Sequence, residues 1–219
     1  MNDNASTSWS WTDAAMSAAA ELGALARVVA SLPLRGLAAH TLGHVDVHPV
    51  PVVLVHGIMG DPTNFTILRR HLARHGIRRF SSFVYRPRLD YQRIARDLAA
   101  HVETVCRETG ATEVDIIGHS LGGLVARYFV QTGGAGRVRR LVSLGTPYLA
   151  HGNPRQELAI FAADDVLVPP PADGARRRMR VVPICGHLGL LTDGRVLGAI
   201  VRYLSPPAWA ADHMADVAA

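Results

Sequence analysis

Lysine is absent, and all 23 basic residues are arginine. Against 18 acidic residues they leave a formal net charge of +5, which suits either a solvated arginine-rich exterior or attraction to an anionic lipid surface. Aromatic residues make up only 6% of the chain. No basic run carries interleaved aromatics, so no nucleic-acid-binding module is expected. The only cysteines are Cys106 and Cys185. Neither spacing nor neighbours offer metal ligation; they read as two free thiols in a reducing compartment, with a disulfide as the alternative. No long apolar run is free of charge. The longest, Ala14 to Leu32, is interrupted by Glu21 and Arg27, each costing roughly 2.5–3.5 kcal/mol at a bilayer centre. Its alanines offset little of that, so it is not expected to span a membrane. Residues 1–12 contain Asp3 and no arginine, a poor start for a secretory signal. A cytoplasmic or peripheral-membrane protein is therefore expected.

What is present points to one folded domain. The 219 residues are 48% hydrophobic and 19% charged, enough to bury a substantial core. Residues 1–49 read as a helical extension and loop, 50–205 as the main domain and 206–219 as a tail. The extension holds an alanine-rich helix ending near Pro33, either docked on the domain or lying on a membrane surface. His40, His44 and His48 recur at helical spacing, but Gly43, Pro49 and Pro51 make this stretch a loop. No metal site is expected there.

From Val52 onward, strands and helices alternate. Val52–Val55 is a short apolar strand ending in His56-Gly57. Asp61-Pro62 offers a cap and a proline for the first turn of a helix, with Phe65, Leu68 and Leu72 on its apolar side. Strands are expected at Phe80–Tyr85, Val114–Ile117, Val138–Leu144, Leu158–Ala162 and Met179–Ile184. Long helices are expected at Tyr91–Thr109 and after Asp193. This alternation predicts an α/β fold of about six mostly parallel strands, with helices on both faces.

The densest chemical signal is Gly118-His119-Ser120-Leu121-Gly122, followed by Gly123. A β-branched strand runs into it and an apolar-striped helix runs out. A strand, a Gly-x-Ser-x-Gly turn and a helix form a nucleophile elbow. A serine hydroxyl needs a base, and the base needs an orienting carboxylate. Asp164-Asp165 follows the fifth strand and His187 follows the sixth, so nucleophile, acid and base come in order at three successive strand ends. Either aspartate is suitably placed. A tetrahedral intermediate also needs backbone donors for its oxyanion. The candidates are Leu121 N–H, just past the serine, and Ile58 N–H in the turn His56-Gly57-Ile58-Met59-Gly60.

Val53 to Gly60, Gly-His-Ser-Leu-Gly-Gly at 118–123, Leu-Gly-Thr-Pro at 144–147, Asp-x-x-Val-Pro at 165–169 and Gly-His-Leu-Gly-Leu-Leu at 186–191 together resemble bacterial lipases and esterases of the α/β-hydrolase superfamily, most nearly the small ones without a large lid. The resemblance implies a serine carboxylic-ester hydrolase acting on acyl or lipid esters, with Ser120 as nucleophile, His187 as base and acid, and Ile58 and Leu121 as oxyanion donors. It favours Asp165 over Asp164, because the family's acid precedes a short hydrophobic stretch and a proline. It gives His119 a shaping role, and it implies no cofactor and no metal. Met59, Phe65 and Leu188 are candidate substrate contacts, with simple core packing as the alternative.

Three features depart from the pattern. Ile184 stands where the family usually has glycine. The link before the fifth strand has only about ten residues, short for a parallel crossover, which predicts an open site and leaves that strand's packing in question. The two strands that often precede the first are missing. A thioesterase, acyltransferase or amidase would use the same residues, and a catalytically silent binding protein is the alternative of a different class. Oligomeric state leaves no trace in the sequence.

Overall fold

The computed structural model describes residues 48–58, 60–86, 90–147, 154–171 and 178–205. The expected N-terminal helix, His40, His44, Met59, segment 148–153 and the tail from 206 lie outside the described residues. Six strands form one sheet: β1 (Val52–Val55), β2 (Phe80–Phe83), β3 (Val114–His119), β4 (Val138–Leu144), β5 (Glu157–Ala162) and β6 (Met179–Val182). Their spatial order is β2-β1-β3-β4-β5-β6, and every pairing is parallel. Among the described residues, four α-helices cover it: α1 (Thr66–Arg74), α2 (Tyr91–Thr109), α3 (Leu121–Gln131) and α4 (Gly194–Leu204).

The runs of Val, Ile and Leu in β1 and β3 carry no polar alternation because both faces are covered. On one face, Leu54, Ile117 and Ile160 pack with Leu68 and Leu72 of α1 and Ile200 and Leu204 of α4. On the other, Val53, Val55 and Ile116 pack with Leu98 and Val102 of α2 and Val125 of α3. Helix ends follow sequence cues: Gly110 closes α2 at φ 70°, and the Asp193 carboxylate caps α4 by accepting from Arg195 N–H at 2.8 Å.

Several boundaries differ from expectation, each for a local reason. The helix expected from Pro62 divides into a 3-10 turn, Pro62–Phe65, and then α1. Strand β2 stops at Phe83 because its partner β1 ends at Val55, paired with Phe83. Strand β6 stops at Val182, since Pro183 has no N–H and Ile184 turns to φ 48°. The short link leaves β5 intact. All six of its residues are buried between β4 and β6. With Leu141 beside Glu157 and Leu144 beside Ile160, the chain need return only about 10 Å along the sheet. That span requires no helix.

His48 is buried at the amino edge of the sheet, with Nε2 2.8 Å from Asp115 Oδ2. Arg139 also donates to this carboxylate. The cluster ties β3 and β4 to the end of α4, where Arg139 donates to Leu204 O at 3.0 Å, and it lies at the opposite end of the strands from the elbow.

Candidate active site

Ser120 sits between β3 and α3 at φ 54°, ψ −123°, a backbone conformation costing about 1–3 kcal/mol for a residue with a side chain. The flanking glycines let the turn close. A Cβ on Gly118 would lie 2.5 Å from Gly123 Cα, and one on Gly122 would lie 2.1 Å from the Val55 carbonyl oxygen. The Ser120 N–H donates to Leu144 O at 2.8 Å, while its own carbonyl accepts from Gly123 and Leu124 N–H. Leu121 opens α3, so its N–H points along the first turn, where helix donors lack intrahelical acceptors.

The turn after β1 is fixed by one carbonyl. Gly57 O accepts from Gly60 N–H at 3.1 Å and faces His56 Nδ1 at 2.8 Å, which therefore carries the proton. Across a trans peptide the C=O and the next N–H point in opposite directions, so holding Gly57 O inside the turn directs Ile58 N–H outward. The His56 ring stacks on Tyr85, with centroids 4.4 Å apart and planes 1° apart. Tyr85 O–H donates to His56 O at 2.6 Å. Burial pushes the Tyr85 phenol well above its ordinary range, so it stays a donor. Gly57 lies against the elbow; a Cβ there would be 3.1 Å from Ser120 Cβ.

The two neighbouring aspartates, both buried, divide their partners. Asp165 Oδ2 lies 2.7 Å from His187 Nδ1. Its Oδ1 accepts from Leu167 and Val168 N–H at 2.9 and 2.8 Å, which fixes the carboxylate. A ring nitrogen facing a carboxylate carries the proton, which makes Nε2 the acceptor nitrogen of the His187 ring. Asp164 accepts instead from Cys185 N–H at 3.0 Å and Gly186 N–H at 3.1 Å. It thereby holds the loop that delivers His187. The sequence gives no hint of this role beyond the doubled acid.

His119, to which the resemblance gives a shaping role at the elbow, also reaches the backbone of His187. Its Nε2 lies 3.1 Å from the His187 carbonyl and must donate to it. The two rings are 4.6 Å apart. Full burial, with the nearby His187 as a lesser cause, pulls the His119 imidazole down to about 3. It is a neutral donor at any ordinary pH.

The structure thus brings Ser120, Asp165, His187 and the turns carrying Ile58 and Leu121 to the carboxyl end of the sheet. No direct hydrogen bond joins Ser120 to His187 among the described residues. Among the candidate substrate contacts, Leu188 is half-buried beside His187. Phe65 is 1% exposed and packed in the α1 core, so its ring is a core element rather than a lining residue. Cys106 and Cys185 are both buried and unbonded to each other. Among the described residues no group of three or more His, Cys, Asp or Glu is placed to hold a metal ion.

Comparison with known proteins gives a consistent family. A family model described as the alpha/beta hydrolase fold matches residues 50–167. A triacylglycerol lipase from Burkholderia plantarii is 31% identical over 142 residues, covering 57% of this chain and 39% of the lipase. A second triacylglycerol lipase, from Pseudarthrobacter phenanthrenivorans, is 33% identical over 106 residues, covering 45% of this chain and 33% of the lipase. The matches therefore span well under half the length of these relatives. A CIB-like hydrolase from Thermoplasma acidophilum superimposes with a TM-score of 0.56 at 13% identity, covering 74% of this chain and 88% of that one. At that identity the likeness is one of fold.

Proposed function

The chain belongs to the alpha/beta hydrolase fold family, and from that footing we propose that it hydrolyses carboxylic esters of acyl or lipid type through Ser120, His187 and Asp165. The observation that carries this reading is the buried Asp165–His187 pair at 2.7 Å, set beside a serine in a strained elbow. Asp165 holds the imidazole with Nδ1 protonated, and His187 Nε2 takes the Ser120 proton as Oγ attacks the ester carbonyl. The oxyanion that forms is received by Ile58 and Leu121 N–H, each such donor contributing about 10²–10³ in rate. Collapse breaks the ester C–O bond, the imidazolium protonates the departing alcohol, and an acyl-serine remains. His187 then activates a water, which releases the acid and restores Ser120.

The preference for acyl substrates is supported by the exposed Ile58, Val166 and Leu167 and the half-buried Leu188, which give the loops around the pair an apolar character. The lipase names of the two relatives point the same way.

The test has two parts. A fluorophosphonate probe should label the wild-type chain at Ser120, and Ser120→Ala should abolish labelling. A p-nitrophenyl ester series of rising chain length, run beside emulsified triglyceride, then separates esterase from lipase. Folded wild-type protein that refuses both probe and esters would overturn the reading in favour of a binding protein.

A further inference from the structure

The Leu144-Gly145-Thr146-Pro147 corner, where the chain leaves β4, meets the site at three points. First, Leu144 O accepts the Ser120 N–H at 2.8 Å, while the Thr146 hydroxyl donates to Ser120 O at 3.2 Å. The two bonds grip the strained residue from both ends of its backbone. The carbonyl's other donors, Gly123 and Leu124 N–H, belong to Ser120's own helix, so Thr146 is what ties it to a different element. Second, Thr146 is fully buried, and its Oγ1 lies 1.9 Å from where a Cβ on Gly123 would stand. The second glycine of Gly122-Gly123 thus makes room for this hydroxyl. Third, Gly145 adopts φ 53°, and a Cβ on it would lie 3.0 Å from both Cε1 and Nδ1 of His187.

The corner is itself held from below. Arg127 of α3, 2% exposed, donates to Pro147 O at 2.8 Å. Its guanidinium also pairs with Glu157 of β5 at 2.7 Å and reaches Ser143 Oγ at 3.4 Å. A buried ion pair with this many partners has one arrangement. Gly145 N–H adds a bond to Ile160 O at 2.9 Å.

We propose that this corner is a clamp setting the position of Ser120 relative to His187, with Thr146 as a positioning residue acting through its hydroxyl and Gly145 as the spacer against the imidazole. The proposal rests on the serine-hydrolase reading above. A misplacement of about 1 Å between reacting groups can cost about a hundredfold in rate, so the clamp acts on kcat rather than on substrate binding.

The experiment compares wild type, Thr146→Val and Thr146→Ser for p-nitrophenyl ester turnover and fluorophosphonate labelling rate, with thermal unfolding alongside. Thr146→Val keeps the shape and loses the donor. Its kcat should fall about tenfold to a hundredfold, with KM unchanged and labelling slowed in parallel. Thr146→Ser, which keeps the hydroxyl, should recover most of the loss. Thr146→Val with wild-type kcat overturns the proposal, as does Thr146→Ser as slow as Thr146→Val, which would assign the effect to the methyl group. Should Thr146→Val not fold, Gly145→Ala reads the same clamp from the His187 side; reduced kcat in the folded variant supports it, and unchanged kcat overturns it. An inert wild type would defeat the hydrolase reading itself, and the clamp with it. An active wild type with indifferent variants would defeat the clamp alone.

Discussion

At the scale of single residues, Asp164 and Asp165 share a backbone neighbourhood yet face different partners, one a pair of loop amides and the other an imidazole. Asp165→Asn should present an amide to His187 and favour the wrong tautomer, lowering kcat by about 10³–10⁴. Asp164→Asn keeps an acceptor oxygen, so it should cost about 1–2 kcal/mol of stability with only a small loss of turnover. Ester kinetics beside urea midpoints separate the two; equal kinetic losses would remove the assignment. Ile184 is the converse case, a β-branched residue at φ 48° and 54% exposed. Left-handed backbone costs a side-chain-bearing residue about 1–2 kcal/mol, and glycine's extra unfolded-state entropy returns about 0.5–1 kcal/mol of that. With little packing to lose, Ile184→Gly should raise the urea midpoint slightly. A lower midpoint would show that the side chain has a partner worth more than the strain.

His119 supplies a pH prediction. Its folded value near 3 lies below the ordinary 6.5, so between those limits the unfolded chain binds a proton that the folded chain refuses. Stability is full above about pH 6.5 and falls as pH drops toward 3, at up to about 1.4 kcal/mol per unit from this group. His119→Gln can still offer a donor to the His187 carbonyl without titrating. Its stability should therefore fall less steeply between pH 6 and 4; an identical slope would mean that burial does not hold His119 neutral.

At the scale of elements, the buried Arg127–Glu157 pair joins α3 to β5 across β4. Glu157→Gln or Arg127→Met leaves its partner's charge buried and uncompensated, which typically costs about 3–5 kcal/mol. Chemical denaturation of either variant should show a loss of that order. The double variant Arg127→Met/Glu157→Leu should recover much of it, and strictly additive losses would refute the coupling. This pairing also answers the question the short link raised about β5. Reading the strand's start at Leu158 missed Glu157, because an isolated glutamate before an apolar run looks like a solvated boundary. Only its distant partner, thirty positions away in sequence, makes it a core residue.

At the scale of the molecule, β1, β3, β4 and β5 are covered on both faces and paired on both edges, whereas β2 and β6 stand at the sheet margins. Amides of the inner strands should exchange only through global opening, and those of β2 and β6 through cheaper local opening. Hydrogen exchange with mass readout checks this; faster exchange in β3 than in β6 would contradict the layering. Among the described residues, no helix is long and apolar enough to cross a membrane.

The sequence by itself determined the alternation of strands and helices, the parallel sheet and the elbow around Ser120, because burial on both faces and a turn with no room for Cβ each leave a short, local composition. It also placed Asp165 and His187 at successive strand ends, since chain order and strand order coincide there. Tertiary structure alone decided what holds them: Asp164 on the His187 loop, His119 on the His187 carbonyl, Thr146 on Ser120 and Arg127 on the Pro147 carbonyl of the same corner. These contacts join residues from different strand ends and helices. Their energies depend on distance and burial, and no periodicity or motif in the chain encodes either.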